Sequence, residues 1–427
     1  MLNIINHKDP GFPETVERLV HRSNLDLSEK DETVRAILAG VRAEGDAAVL
    51  RYTERFDGNA FTAADLKVSQ SEIEAAYQEV SPEQVAALKS AAENIRAFHQ
   101  RQAQESWQYE EDGALLGQLI RPLATVGIYV PGGKAAYPSS VLMNAVPARV
   151  AGVDKVVMVS PAPGGRANPG ALVAADIAGV SEIYKVGGAQ AVGAMAFGTA
   201  TVPRVDKIVG PGNIYVALAK RLVFGVVDID MIAGPSEILI VADDSARADF
   251  VAADLLSQAE HDEEAVPVLV TDSGRLAARV LDELARQAQS LPRKAIIDAC
   301  LESRCRLLVV ETLEAAVALA NRVAAEHLEL AVREPERWLP RITNAGAVFL
   351  GHYTPEAVGD YFAGPNHVLP TSGTARSSSP LGVYDFIKKT SIIGYSREKL
   401  RKIAGQVRTL AEMEHLHAHA QAVKLRE

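Results

Sequence analysis

From Gly127 to about residue 350 the chain alternates short β-rich runs with longer alanine-rich stretches of helical spacing. No other feature restricts the fold as much. The strand candidates are VGIYV (126–130), KVVMVS (155–160), EIYKV (182–186), DKIV (206–209), EILIVAD (237–243), VPVLVTD (266–272), RLLVVET (306–312) and AVFLG (347–351). ALVAADIAG, ARADFVAADLLSQAEHD and LEAAVALANRVAAEH lie between them as helices. A repeated strand–helix order predicts an α/β fold, with parallel sheets covered by helices on both faces. Residues 30–110 and the tail beyond about Arg397 read as helical, the tail rich in charge and histidine. A length of 427 residues implies two or three domains.

The remaining composition excludes several classes. Apolar residues make up 48% and charged residues 23%, so the chain can bury a core without staples. The net charge of −10 is interleaved along the chain with no basic stripe, which argues against nucleic-acid binding. The longest uncharged run, 186–203, carries four glycines, Gln190 and two threonines, too polar for a membrane span. No basic segment followed by an apolar run opens the chain, and there are two cysteines, Cys300 and Cys305. A soluble cytoplasmic protein is expected, with no membrane partner and both cysteines buried as structural residues.

Glycine clusters follow three strands: PGGK at 131–134, VGGAQ at 186–190 and VGPGN at 209–213. Such loops let a ligand approach backbone at the carboxyl ends of strands, but they also serve as plain tight turns. Neither GxGxxG nor a Walker lysine motif is present. Seven of ten histidines lie from His261 onward. Gln258 and His261 are spaced to share a helix face, and Asp360 reads as part of a Gly/Pro-rich loop. His415, His417 and His419 alternate in the tail. A His/Asp set suits zinc, and manganese or cobalt as well, although each spacing also fits a solvated face. Glu326 beside His327, where a helical pattern runs into LELAV, is a pairing acid–base chemistry can use.

Longer strings carry a resemblance. RPLATVGIYVPGGKAAYPSSVLMNAVPARVAG, KVGGAQAVGAMAFGT, VDKIVGPGN, DIDMIAGPSEILIVAD, DLLSQAEHD, AAEHLEL and GDYFAGPNHVLPTSGTARSSSPLGVYDFIKKTS occur in this order. Together they resemble the histidinol dehydrogenase family over essentially the full length. The resemblance implies oxidation of L-histidinol through the aldehyde and its hydrate to L-histidine, with reduction of two NAD. It implies one Zn2+ per subunit held by Gln258, His261, Asp360 and His419, orienting the substrate as a template. His327 would be the base for the alcohol proton, and Glu326 would activate the water that hydrates the aldehyde.

Ser236, Glu414 and His367 resemble substrate contacts, together with Gln258, His261, His327, Asp360 and His419. Tyr129, Gln190 and Asn213 match NAD-binding positions. The implied architecture has two Rossmann-like domains: 25–128 plus 238–380 around the metal, with 129–237 inserted for the cofactor. Residues 1–24 plus 381–395 would form a small dimerising element. The tail 396–427 would complete the partner's site in a homodimer, bringing Glu414 and His419.

The tail departs from the family pattern in carrying His415 four residues before His419, on what reads as the same helical face. A cysteine thioester route is unnecessary, since Cys300 and Cys305 lie outside the matched strings. Rival readings are a related dehydrogenase acting on a sulfonated diol, a zinc hydrolase, and a non-catalytic metal- or nucleotide-binding protein. The intact GPNHVLPTSGTARSSSPL and the tail with Glu414 and His419 argue against the first, the cofactor positions against the second, and the acid–base pair Glu326 and His327 beside the proposed metal site against the third.

Overall fold

The computed structural model describes residues 2–22, 28–132 and 137–427. Gly133 and Lys134 of the first glycine cluster and the expected 24/25 domain boundary lie outside the described residues. The strands are β1 (Ile4–Asn6), β2 (Trp107–Glu111), β3 (Ala114–Pro122), β4 (Thr125–Tyr129), β5 (Lys155–Ser160), β6 (Glu182–Lys185) and β7 (Lys207–Val209). They continue with β8 (Asp228–Ile229), β9 (Glu237–Ala242), β10 (Val266–Thr271), β11 (Arg306–Val309), β12 (His327–Ala331), β13 (Ala347–Leu350) and β14 (Ile387–Tyr395).

Two parallel sheets form the body of the protein, as the alternation predicts. A five-stranded sheet has the order β6-β5-β4-β7-β8, and a six-stranded sheet the order β1-β11-β10-β9-β12-β13. Both bury their strands on two faces, so the pleat sorts one apolar run into two cores. In β9, Ile238 and Ile240 join Leu269 and Leu307 on one face, while Leu239 and Val241 join Val268 and Leu308 on the other. In β4, Val126 and Ile128 face away from Tyr129 in the same manner. Each fully buried Ile or Leu contributes about 1.5–3 kcal/mol to this arrangement.

The helices between about residues 30 and 100 pack on the five-stranded sheet. Val34, Ile37, Leu38 and Val49 share a core with Val157 and Val192, and Ala91 and Ile95 share the opposite core with Val126 and Met158. These helices thus share both cores of the sheet built by residues 125–229. Serines cap two of these helices, Ser69 accepting from Glu72 N–H and Ser81 from Gln84 N–H.

β1 pairs with β11 at the edge of the six-stranded sheet, and Val16 and Leu19 of the helix Phe12–Val20 enter its core. The 381–395 segment instead supplies β14, which pairs over nine residues with β3 in an antiparallel sheet, β14-β3-β2. β2 falls at the end of the stretch read as helical. This small sheet keeps large apolar side chains exposed, among them Trp107, Ile393 and Tyr395. Among the described residues no helix is long and apolar enough to cross a membrane.

Candidate active site

The amino ends of β9 and β12 lie side by side, with His327 in register with Ile238. Here Glu237 and Glu326 exchange hydrogen bonds. The Glu237 N–H donates to Glu326 Oε2 at 2.9 Å, and the Glu326 N–H donates to Glu237 Oε2 at 3.3 Å. The His327 Nδ1 lies 2.9 Å from the Glu237 carbonyl oxygen. A carbonyl can only accept, so Nδ1 carries the proton and the lone pair sits on Nε2. That nitrogen is buried without a hydrogen-bond partner, 3.8 Å from Asp360 Oδ1. Burial lowers the His327 pKa, against the opposing pull of Asp360, and so favours the neutral ring.

The helix Ala248–Ala259 runs back from β9 and delivers Gln258 to the same end. It stops at Ala259, so Gln258 and His261 do not share a helix face as their spacing suggests. Instead the His261 N–H donates to the Gln258 carbonyl at 3.2 Å in a tight turn, which keeps the two together. With its amide oriented so that the nitrogen faces the neighbouring acceptors, the fully buried Gln258 donates to the Glu237 carbonyl at 3.1 Å and to Glu356 Oε1 and Oε2 at 3.1 and 3.3 Å.

Asp360, expected in a loop, belongs to the short helix Glu356–Tyr361. Ligand atoms of His261, Glu356 and Asp360 all lie within 4.8 Å of one another. Glu356 is the member that sequence reasoning missed. Its signal was the Glu-x-x-x-Asp spacing of EAVGD, which stacks two carboxylates on one face once that segment is helical. An imidazole and two carboxylates beside a neutral amide make a nitrogen-and-oxygen donor set of the kind zinc accepts.

Buried acids crowd this end of the sheet. Burial raises the pKa of Glu326 and of Glu356 well above the carboxylate range, and each lies 3.6 Å from His327 Nδ1. Behind them Glu329 accepts from the Glu356 N–H at 3.0 Å. Its own pKa is raised by burial, and that of its neighbour Asp254 is pushed up to about 6. His367 is tied to the cluster by its Nδ1, 3.0 Å from the Asp360 carbonyl, and its Nε2 lies 3.4 Å from Ser140 Oγ. Ser236 is half-buried where β9 begins. Beside His261 a cleft of about 420 Å³ opens between Leu88, Tyr137, Arg293 and Tyr361.

The tail residues are not brought into this cluster within one chain. Glu414 and His419 are exposed. His415 has a φ of +59° and breaks the tail between the helices Arg397–Met413 and His417–Lys424. It therefore does not share a helical face with His419. Cys300 and Cys305 are buried and free, and burial pushes the Cys300 thiol up to about 12, far from a nucleophilic thiolate.

The expected cofactor residues gather at the five-stranded sheet. Its strand order reverses between β4 and β7, the switch point where open α/β sheets bind ligands at their carboxyl ends. Tyr129 ends β4, Asn213 caps the helix Ile214–Val223 after β7, and Gln190 lies in the first turn of the helix Gly188–Phe197 after β6. The Tyr129 hydroxyl accepts from the Gly188 N–H at 3.0 Å, and burial raises its pKa to about 12. Gln190 is buried with its amide oxygen unpartnered. A buried polar atom beside glycine-lined backbone at a switch point suits a dinucleotide.

A buried ion pair sets the adjoining loop. Lys220 Nζ donates to Asp230 Oδ1 and to the Gly210 carbonyl, and Asp230 Oδ2 accepts from the Gly210 N–H at 2.7 Å. Gly210 has a φ of +104°, and a Cβ there would approach the Tyr129 carbonyl oxygen to 2.3 Å. Only glycine fits.

A glycine-lined switch point in one sheet, with a neutral imidazole beside metal-type donors at the next, suits an α/β dehydrogenase. Comparison with known proteins agrees. The family model "Histidinol dehydrogenase" matches residues 20–427. The chain is 55% identical to the histidinol dehydrogenase of Syntrophotalea carbinolica, covering 100% of this chain and 99% of that one. It is 53% identical to that of Geobacter sulfurreducens, with 100% of both chains covered. The crystal structure of histidinol dehydrogenase from Elizabethkingia anophelis superposes with a TM-score of 0.93 at 38% identity, covering 100% of this chain and 98% of that one. The chain belongs to the histidinol dehydrogenase family, NAD-dependent oxidoreductases of the final step of histidine biosynthesis.

Proposed function

We propose that the chain oxidises L-histidinol through L-histidinaldehyde to L-histidine, a four-electron reaction that reduces two NAD. The reading is carried by the orphaned His327 Nε2 beside the His261–Glu356–Asp360 donors. Bound NAD would supply the hydride acceptor, and bound zinc a template for the imidazole and amino nitrogens of the substrate. Gln258, His261 and Asp360 would hold the metal, with His419 of the partner subunit, and Glu356 adjoins them as a further donor. Tyr129, Gln190 and Asn213 would hold NAD.

His327 Nε2 takes the alcohol proton as hydride leaves the carbinol carbon, while the Nδ1 proton stays on the ring, donated to the Glu237 carbonyl. Glu326 then takes a proton from the water that adds to the aldehyde carbon, and the carbonyl oxygen gains one. This hydration is redox-neutral. The hydrate next loses hydride and a hydroxyl proton, giving the carboxylic acid. Ser236 and His367, with Glu414 of the partner subunit, would contact the substrate.

The exposed β14-β3-β2 sheet and tail support a homodimer with shared sites, formed by the terminal segments. A small-molecule biosynthetic substrate, two unpaired cysteines and the absence of a basic stripe support a cytoplasmic enzyme without nucleic-acid or membrane partners. NADH formation from L-histidinol, before and after chelation and zinc restoration, tests the reading. Two NADH per histidine, lost on chelation and recovered with zinc, is the expected result. No NADH from the zinc-loaded dimer overturns it and favours the related diol dehydrogenase.

A further inference from the structure

One buried ion pair touches Glu326 directly without taking part in proton transfer. Arg22, just past the helix Phe12–Val20, reaches Glu237 with both Nε and Nη2 at 2.6 Å. Its side chain is 10% exposed and that of Glu237 3%. The Arg22 Nη1 donates to the carbonyls of Leu19 and Val323 at 2.7 and 2.9 Å, which fixes the guanidinium plane. The two Glu237 oxygens accept two further backbone N–H groups. Oε1 takes that of Ser372 at 2.9 Å, and Oε2 that of Glu326 at 3.3 Å.

The Glu237 carboxylate is thus held by four donors and has no freedom to turn. Through its reciprocal bonds with Glu326 that rigidity passes to the neighbouring strand. Glu326 Oε2 is occupied by the Glu237 N–H, while Oε1 has no hydrogen-bond partner among the described residues. One oxygen is anchored and the other left for a water molecule. His327 depends on the same residue only through the Glu237 backbone carbonyl, which the β9 ladder fixes whatever the side chain does.

We propose that Arg22 and Glu237 are positioning residues for Glu326, holding it so that Oε1 meets the water that hydrates the aldehyde. They therefore act on the second oxidation far more than on the first. The proposal rests on the reading of Glu326 as the group that activates this water.

The test uses the full-length, zinc-loaded enzyme and two separate rates. One is NADH formation from L-histidinol with released aldehyde trapped, the other NADH formation from supplied L-histidinaldehyde. Glu237→Gln turns one acceptor into a donor facing donors, and Arg22→Lys keeps the charge but loses the fork. Glu237→Gln is expected to lower the aldehyde rate about 10–100-fold, as loss of a supporting contact does. The histidinol rate falls less, so the ratio of the two drops about tenfold or more.

Arg22→Lys moves the ratio in the same direction by a smaller factor. The ratio is independent of how much protein folds, so partial unfolding of either variant does not mask the outcome. Equal losses in both rates, or none, overturn the proposal. Glu326→Gln separates the two ideas. If it spares aldehyde oxidation, the reading of Glu326 fails and the proposal with it. If it abolishes aldehyde oxidation while Glu237→Gln leaves the ratio unmoved, the positioning claim alone fails.

Discussion

The two parallel sheets of this protein use opposite ends. The five-stranded sheet gathers its expected cofactor residues at the carboxyl ends of β4, β6 and β7, where α/β sheets ordinarily meet ligands. The six-stranded sheet gathers its expected acid–base and metal residues at the amino ends of β9 and β12. The ends also differ in charge. At the cofactor end the expected residues are uncharged, and the charge fixing the adjoining loop is the closed pair Lys220–Asp230. The end expected to be catalytic buries Glu237, Glu326, Glu329 and Glu356 with Arg22 as the cation paired to Glu237. Backbone and glycine suffice to cradle a cofactor, whereas proton transfer needs titratable groups kept out of water. That requirement costs stability.

If this division holds, changes at one end leave the other intact. The largest expected effect is that of His327→Asn, which removes the orphaned base and should lower kcat by about 10²–10⁴-fold. NAD affinity, read by fluorescence titration, should stay as in the parent. A parallel loss of NAD binding would break the comparison. Next is Lys220→Met, which leaves Asp230 buried without its cation and should destabilise the chain by about 3–5 kcal/mol in urea unfolding. In the protein that remains folded, the KM for NAD should rise while that for L-histidinol does not. The double variant Lys220→Met/Asp230→Leu recovers only part of the stability, because Asp230 also accepts from the Gly210 and Met231 N–H groups.

A smaller effect concerns pH. The Asp254 pKa is raised from 3.8 to about 6 in the fold, so the folded chain keeps a proton that the unfolded chain has lost. Stability from this group is present below pH 3.8 and is lost as pH rises to about 6. Asp254→Asn should flatten the melting temperature across that window, a change of about 2–4 °C by calorimetry. An unaltered slope would show that this carboxyl is not held protonated. The smallest change is expected of Cys300→Ala, which trims a buried thiol at a stability cost of about 1 kcal/mol. Both oxidations should proceed at parental rates, and loss of the second one alone would restore a thioester route.

Several features were legible in the chain alone. Apolar runs of strand length alternating with helical stretches made the two parallel sheets readable, because burial on both faces imposes a local composition. The glycine clusters were visible too, although spacing left them undecided between turns and a ligand loop. The resemblance proposed roles for Glu326, His327 and Asp360 before their surroundings were known.

Tertiary structure decided what depends on long-range contact. Nothing local ties Arg22 to Glu237, 215 positions later, yet their pairing fixes the amino end of β9. Glu356 became a metal-type donor only once residues 356–361 coiled into a helix beside His261. The exposed tail reads as helix, but its break at His415 lies in one backbone angle, and its expected role belongs to a second copy. Pattern reports which faces a residue can bury, because burial acts on each segment by itself. Which buried groups meet is set by packing distant segments together, and that information is not local to any of them.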